Sequence, residues 1–270
     1  MLLGMSTIVY RNEVLDRGLL EKIKAVGAEA VELTDYHPDF DYSDLRAISA
    51  LRTDLAALGL QLNSFHAHLK YLDPDCDLAA TDASQRAHVI SSYREAIDAL
   101  VGLGGGILVT HDNLIPDVDE LDHAARKAAL SGNLKEIADH ARSHNVRIAV
   151  ENHGSGYFSL PERLVDLVRE VDADNVGVCI DTGHRNLCGD PADAIRVVGE
   201  HLITVHIHDN HGEQDEHLLP THGAVDWDDV IDALNQIGYS GTFMYEIPHQ
   251  EALGDVERNY QSLRRRNSGS

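Results

Sequence analysis

The chain is poor in lysine. Of its 270 residues only five are lysine and 17 are arginine, whereas aspartate and glutamate number 45, for a formal net charge of −23. Such a surface repels nucleic acids and anionic membranes, so neither is expected as a partner. A lysine-poor, acidic surface also suits a high-salt cytoplasm and predicts a halophilic source. High salt would screen the repulsion and weaken the argument against nucleic acid.

Cysteine and long apolar runs are scarce as well. Cys76, Cys179 and Cys188 are odd in number and have no paired spacing, which predicts a reducing compartment without a disulfide framework. No stretch reaches the roughly 18 apolar residues of a membrane span. The N-terminal segment has neither the basic region nor the long apolar region of a signal peptide. We therefore expect a cytoplasmic protein without a membrane segment.

Short apolar segments alternate with helical patterns along the chain. Segments rich in Val, Ile or Leu are typical of buried parallel strands, and we predict them at residues 2–9, 30–35, 60–68, 106–111, 147–152, 176–182, 203–209 and 241–247. Helical patterns are predicted at 13–26, 42–58, 83–103, 119–144, 161–171, 191–198, 227–237 and 251–265. Eight strands and eight helices are the count of a single (β/α)8 TIM barrel. We predict one barrel domain over residues 1–266 and a disordered tail over 267–270.

Several predicted strands end in an ionisable residue. Strands five to eight finish at Glu151, Asp181, His206 and Glu246. The C-terminal ends of barrel strands meet at one face, so these four side chains are expected to converge. Oxygen and nitrogen ligands of this kind hold a divalent ion such as Mn²⁺, Mg²⁺, Co²⁺ or Zn²⁺. Any one of them taken alone would instead be a salt-bridged strand end.

Further imidazoles lie near the same predicted face. His206 and His208 are two residues apart on a strand and share one side of it, and the pair His66 and His68 follows the same logic. His184 comes three residues after the end of strand six, where it could reach a metal or a substrate. Six other histidines are expected at the surface: His37, His88, His123, His140, His144 and His201.

One long polar loop is predicted from residue 209 to 225, after the seventh strand. It carries Asp215 and His217, an Asp-x-His spacing suited to a cation, although a solvated polar loop would look the same. Long loops after barrel strands are where function is usually found. In the second strand, Glu32 either points into the barrel or forms a salt bridge at the strand end.

Other chemistries have less support in the sequence. It contains no Gly-x-x-x-x-Gly-Lys phosphate loop, no Gly-x-Gly-x-x-Gly after the first strand and no Gly-x-Ser-x-Gly elbow. These absences argue against a P-loop nucleotide site, a dinucleotide-binding domain and a serine hydrolase of the elbow type.

The strand-end motifs resemble those of the xylose isomerase-like barrel superfamily. The segments concerned are Glu151-Asn152, residues 179–184 (Cys-Ile-Asp-Thr-Gly-His), residues 206–210 (His-Ile-His-Asp-Asn) and Tyr245-Glu246. The resemblance covers nearly the whole chain. The superfamily contains sugar and sugar-phosphate isomerases and epimerases, together with DNA-repair enzymes of the endonuclease IV type.

The epimerase branch implies one metal ion held by Glu151, Asp181, His206 and Glu246. It also implies that Glu151 and Glu246 act as an acid–base pair on opposite faces of the substrate, and that His184 contacts the sugar. We add His208 and His68 as candidates for substrate contact. Ketohexose epimerases carry an arginine soon after the seventh-strand histidine, whereas residues 209–214 here contain none, which argues against a free ketohexose.

The endonuclease branch implies three zinc ions. Its pattern matches nearly the full trinuclear set, adding His68, His111, His184, Asp215 and His217 to the four residues of the first site. The acidic charge and the lack of a basic, aromatic DNA-binding loop depart from that branch, but cleavage of a small phosphodiester stays open.

Two functions are therefore carried forward. The first is a metal-dependent isomerase or epimerase that acts on a sugar, sugar acid or sugar phosphate by carboxylate-mediated proton transfer. The alternative is an endonuclease IV-like multinuclear zinc phosphodiesterase. A metal-dependent lyase or binding protein on the same scaffold is a weaker third. The number of bound ions and the oligomeric state, a homo-oligomer included, are left open.

Overall fold

Eight parallel strands close into a barrel in chain order. The computed structural model describes residues 1–38, 40–67, 76–112, 121–248 and 250–266, except for the side chains of 121–123, 251 and 266. The strands are β1 (Leu2–Ser6), β2 (Ala30–Thr34), β3 (Gln61–His66), β4 (Ile107–His111), β5 (Arg147–Glu151), β6 (Val176–Asp181), β7 (Leu202–Ile207) and β8 (Thr242–Tyr245). Parallel pairing of β1 with β8 closes the sheet. The predicted (β/α)8 barrel is confirmed.

Helices cover the outside of the barrel. They are α1 (Arg17–Ala25), α2 (Leu45–Leu58), α3 (Ala83–Leu103), α4 (Leu121–Ser143), α5 (Pro161–Val171), α6 (Thr182–Asn186), α7 (Pro191–Val198), α8 (Trp227–Gln236) and α9 (Leu253–Arg266). The helices pack on the sheet through apolar faces with helical spacing. In α5, for example, the buried residues include Leu164, Leu167, Val168 and Val171. Within the described ranges, no helix has the length and apolar character needed to cross a bilayer.

Strand alternation separates an outer core from the barrel interior. Leu108 and Ile148 belong to the large core between sheet and helices, whereas Ile107, Val109 and Ala149 form a small separate cluster. Successive strand residues point to opposite faces. Thus His111, two residues after Val109, and Glu151, two after Ala149, project inward above this apolar layer. The register pairs His111 with Glu151 directly.

Among the differences from the sequence-based expectations, three concern the N-terminal part of the chain. β1 ends at Ser6 because Thr7–Tyr10 form a short 3₁₀ helix, whose Ile8 N–H donates to Ser6 Oγ. Helix α1 begins at Arg17 because Asp16 caps it, accepting from the Leu19 N–H. The surface prediction for His37 is wrong: this side chain is only 4% exposed, and its Nδ1 lies 2.9 Å from the carbonyl oxygen of Glu13. The tail over 267–270 lies outside the described residues.

Candidate metal centre at the C-terminal face

The four predicted ligand residues meet around one nitrogen. Nδ1 of His206 lies 3.2 Å from Glu151 Oε2, 3.2 Å from Glu246 Oε2 and 4.0 Å from Asp181 Oδ2. All four side chains are buried. They come from β5, β6, β7 and the residue after β8, so the barrel ends bring them together. Their role as metal ligands stays a prediction.

His206 is oriented by a carboxylate that the sequence left ambiguous. Its Nε2 lies 3.0 Å from Glu32 Oε2, which also accepts a hydrogen bond from Ser64 Oγ at 2.7 Å. Glu32 is fully buried, and although burial favours its neutral form, the imidazoles of His206 and His66 hold its pKa below the usual value. In the neutral ring that metal binding requires, a hydrogen atom on Nε2 would leave the Nδ1 lone pair facing Glu151 and Glu246. Imidazoles that bind metals typically donate their other N–H to a carboxylate in this way.

Asp181 is fixed by three different groups. Its backbone is held by Asn152, whose Oδ1 accepts from the Asp181 N–H at 2.8 Å. Its carboxylate caps α6, accepting from the His184 N–H at 2.7 Å, and its two oxygens lie 2.9 and 3.0 Å from His208 Nε2. Burial alone would raise the pKa of Asp181, but the nearby His184 and His208 lower it to about 2. The group is therefore an anion over the working pH range.

Gly183 allows His208 to approach. A Cβ atom at position 183 would lie 1.9 Å from Cε1 of His208, which no side chain could tolerate. His208 is fully buried and stacks on His217 with ring centroids 3.8 Å apart. The Asp-Thr-Gly-His motif thus joins a strand end, a close imidazole contact and a short helix. Substrate contact by His208 stays a prediction.

A second cluster lies beside the first and shares Glu151. Nε2 of His66 and Nε2 of His111 each lie 3.4 Å from Glu151 Oε2. Burial holds the pKa of His111 well below its usual value, so this imidazole is neutral, as metal binding requires. Burial would raise the pKa of Glu151, but the surrounding histidines, His206 foremost, hold it well below its usual value. The predicted His68 lies outside the described residues, and the histidine seen here is His66.

A third cluster forms around Asp215 in the long loop. Its Oδ2 lies 3.0 Å from His217 Nε2 and 3.3 Å from His184 Nε2. Nδ1 of His184 in turn lies 3.4 Å from Glu151 Oε1, which links this cluster to the others. The pKa of His217 is raised to about 9, since the nearby carboxylates, Asp215 first, outweigh the effect of burial. The structure therefore brings His184, Asp215 and His217 together as the spacing suggested.

The long loop is held by a buried carboxylate that the sequence analysis did not single out. Asp209 accepts hydrogen bonds from Trp227 Nε1 at 2.8 Å and from the backbone N–H groups of Thr221 and Val225 at 2.9 and 3.1 Å. Its own backbone pairs with Leu218 in both directions. These bonds fix the loop that carries Asp215 and His217. The sequence does contain a pattern that could have identified Asp209. It directly follows the His-x-His pair at the end of β7, which places it at the buried start of the loop.

Two other buried polar groups near the centre were also missed. Asp112 and His153 follow β4 and β5, and Asp112 Oδ1 lies 3.1 Å from His153 Nε2. The His153 ring stacks on His111 with centroids 4.5 Å apart. Their positions, one or two residues past strand ends, are the signal that could have found them.

The donor atoms fit a divalent cation. In the described part of the chain, both oxygens of Glu151, Nδ1 of His206 and both ring nitrogens of His66 are buried without a hydrogen bond of acceptable geometry. Buried polar atoms normally have partners, because burying them unpaired is costly. Carboxylate oxygens and imidazole nitrogens are the ligands that Mn²⁺, Co²⁺ and Zn²⁺ accept. A cation among these atoms would satisfy the oxygens of Glu151, Nδ1 of His206 and one of the two ring nitrogens of His66.

The fold is a TIM barrel, and these clusters of possible ligand residues lie at the C-terminal ends of its strands. A family model described as xylose isomerase-like TIM barrel matches residues 20–266. The chain belongs to this family, as the motifs indicated.

Known relatives include sugar epimerases. The chain is 27% identical over 261 residues to a D-psicose 3-epimerase of Ruminiclostridium cellulolyticum, covering 93% of this chain and 84% of that protein. It is 32% identical over 190 residues to an uncharacterized protein of Methanocaldococcus jannaschii, covering 67% of this chain. That match spans 62% of the relative, under two thirds of its length. A crystal structure of a D-tagatose 3-epimerase-like protein superimposes with a TM-score of 0.84 at 25% identity, covering 99% of this chain and 97% of that one.

Proposed function

We propose that the protein is a divalent-metal-dependent isomerase or epimerase that acts on a sugar, sugar acid or sugar phosphate. The observation that carries the proposal is the meeting of Glu151, Asp181 and Glu246 around Nδ1 of His206, at 3.2 to 4.0 Å. Family membership and the epimerase relatives support it.

Glu151, Asp181, His206 and Glu246 would hold the ion. When bound there, a divalent cation would polarise the carbonyl and the adjacent hydroxyl of the substrate. Glu32 keeps the His206 ring in the orientation that presents Nδ1 to the ion. Asn152 holds the backbone of Asp181, and His208 contacts its carboxylate, so together they fix the position of this side chain.

Proton transfer falls to the two glutamates. One of them removes the proton from the carbon next to the carbonyl, and the other returns a proton from the opposite face. Glu151, kept anionic by the surrounding histidines, suits the role of base. His184, with 17% of its side chain exposed, can contact a substrate hydroxyl from the rim of the centre. His68 and His208 stay candidates for substrate contact.

A second function, phosphodiester hydrolysis, is favoured by the two additional clusters. His66, His111 and Glu151 place ligand atoms close enough for one ion, and His184, His208, Asp215 and His217 do so for another. A centre of two or three ions is suited to activating water and stabilising a leaving oxygen. The same residues could equally bind and orient a sugar next to a single ion.

Metal content and two histidine variants separate these functions. Purified protein is analysed for metals, and wild type, His111→Ala and His217→Ala are assayed with a panel of sugars and with a chromogenic phosphodiester. An epimerase should hold one tightly bound ion, and both variants should keep measurable turnover, because these histidines are not proton carriers. His201→Ala is a control, since this histidine lies in a 3₁₀ helix at the opposite end of the barrel.

A different set of results would favour phosphodiester hydrolysis over isomerisation. Two or three zinc ions per chain, phosphodiester cleavage by wild type, and loss of both metal and cleavage in the two variants would establish the hydrolase instead.

A further inference from the structure

A cavity lies beside the metal centre at the mouth of the barrel. It has a volume of about 510 Å³ and is lined by Ile8 and Arg11 after β1, residues 215–218 after β7, and Pro248 after β8. Strands β7, β8 and β1 are neighbours in the barrel, so the cavity opens over one side of the C-terminal face. It shares Asp215 and His217 with the third cluster. A substrate bound at the metal centre and longer than its reacting carbons would extend into this space.

Arg11 is the only lysine or arginine among the described residues that line the cavity. The two acidic residues of the lining already have imidazole partners: Asp215 has His217 at 3.0 Å, and Glu216 has His211 at 2.8 Å. Arg11 itself is exposed, and over the described ranges its guanidinium has no hydrogen bond or ion pair. Its backbone N–H donates to Ile8 O at the end of the 3₁₀ helix, which fixes the base of the side chain.

Most guanidinium groups in the described part of the chain have a partner, and Arg46 is another without one; acidic groups outnumber basic ones by 45 to 22 in the sequence. Arg17, Arg142 and Arg196, for example, each have carboxylate partners within about 3 Å. A guanidinium presents a planar fork of donors that matches a phosphate or a carboxylate. Its position in a cavity beside the centre makes an anionic group of the substrate the natural partner.

We propose that Arg11 and this cavity form the subsite for the anionic end of the substrate, a phosphate or a carboxylate. The inference rests on the proposed isomerase function and narrows its substrate class from any sugar to a sugar phosphate or sugar acid. The reacting carbons lie at the metal centre and the anion lies against Arg11.

Matched substrates test the subsite. Binding and proton exchange are measured on metal-loaded wild type, Arg11→Ala and Arg11→Lys with three compounds that share a ketone: D-fructose, D-fructose 6-phosphate and D-fructuronate. The series is repeated with D-ribulose and D-ribulose 5-phosphate. Arg46→Ala serves as the control, because Arg46 is also exposed, at the first turn of α2, but does not line the cavity.

Wild type should prefer an anionic ketose, and Arg11→Ala should weaken its use by about 10- to 100-fold, the usual value of a charge-assisted contact. Lysine should restore part of the preference, because it keeps the charge without the fork. The phosphate and uronate arms identify which anion is bound. If Arg11→Ala lost activity equally on neutral and anionic ketoses, the inference would be overturned. Arg11 would then act by an ion pair with Asp215 or Glu216 and not by contact with the anion of the substrate.

Inorganic phosphate separates this inference from the proposed function. Its binding to the metal-loaded protein is measured by calorimetry in the same variants. Binding that is weaker in Arg11→Ala, partly restored in Arg11→Lys and unchanged in Arg46→Ala supports the subsite even if no sugar exchanges a proton. The lack of proton exchange would then count against the isomerase function only. Equal binding in all variants would place the ion on the metal and overturn the inference, as would the absence of binding to wild type.

Discussion

At the scale of single residues, His206 has two different neighbours on its two ring nitrogens. Nε2 faces Glu32, and Nδ1 faces Glu151 and Glu246. Burial opposes a positive charge on His206, yet Cys179 and the surrounding carboxylates together raise its pKa well above the usual value. The ring therefore depends on its carboxylate neighbours for both orientation and charge.

Glu32→Gln tests the orienting role. The change keeps the volume of the side chain but replaces a charged acceptor, so the His206 ring should be held less firmly. Loss of such a partner typically costs 10- to 100-fold in metal affinity. Competition with a chelator measures the affinity, and Ser64→Ala, which removes only the hydroxyl bonded to Glu32, should have the smaller effect. An unchanged affinity in Glu32→Gln would contradict the account of His206.

The residues of the centre were predictable to different degrees. Glu151, Asp181, His206 and Glu246 end apolar strands, and this pattern was sufficient to predict that they meet. Glu32 lies inside a strand, where a single carboxylate in an apolar run suits either an inward position or a salt bridge. Asp209 and Asp112 were missed because their partners are backbone groups or residues far away in the sequence, which a local pattern does not reveal.

At the scale of elements, the sequence predicted long helices better than local turns. Helices α3, α5 and α7 have the predicted bounds, since a cap or an N-terminal proline marks the start of each. Helix α6 was not predicted, because five residues are too few for a periodic pattern. It forms because the carboxylate of Asp181 caps it, so the metal centre and the helix depend on the same side chain.

Gly183→Ala tests this dependence. The new Cβ would overlap the His208 ring, so α6 or the ring must shift, and overpacking of this kind costs about 1–3 kcal/mol of unfolding free energy. Metal affinity should fall as well, because His208 and α6 both contact Asp181. Urea unfolding and metal titration measure the two effects.

Gly132→Ala is the matched control for this change. Gly132 lies inside α4 with no heavy atom within 4 Å of an added Cβ. Alanine there should leave metal binding unchanged and stabilise the fold by about 0.5–1 kcal/mol. Similar losses of metal affinity in both variants would show that α6 has no particular link to the centre.

At the scale of the whole molecule, the eight strand–helix units were evident from the sequence because buried parallel strands are short and apolar. The closure of the barrel then follows from the strand count. Halophilic origin and compartment stay predictions, since charge and composition alone support them. The domain bounds, which were inferred from the strand–helix pattern, stay a prediction as well.

Metal binding by the whole protein should depend on pH. Protons compete with the ion for the imidazole nitrogens, and the pKa values of His206 and His217 are raised above the usual value for histidine, so affinity should already fall at a pH above the ordinary pKa of histidine and continue to fall below it. Dialysis at a series of pH values followed by metal analysis measures occupancy, and circular dichroism checks that the fold persists. Occupancy that stays constant down to about pH 4.5 would contradict histidine ligation.

The most direct test of the account is proton exchange between a sugar substrate and deuterated water. Metal-loaded wild type should incorporate deuterium at the carbon next to the carbonyl. Glu246→Gln, compared at measured metal occupancy, should exchange on the order of 10² to 10⁴ more slowly, since it lacks one of the two proton carriers. Exchange at the wild-type rate in Glu246→Gln with metal bound would contradict the two-carboxylate mechanism. Absence of exchange with every sugar, together with phosphodiester cleavage by wild type, would contradict the isomerase function itself.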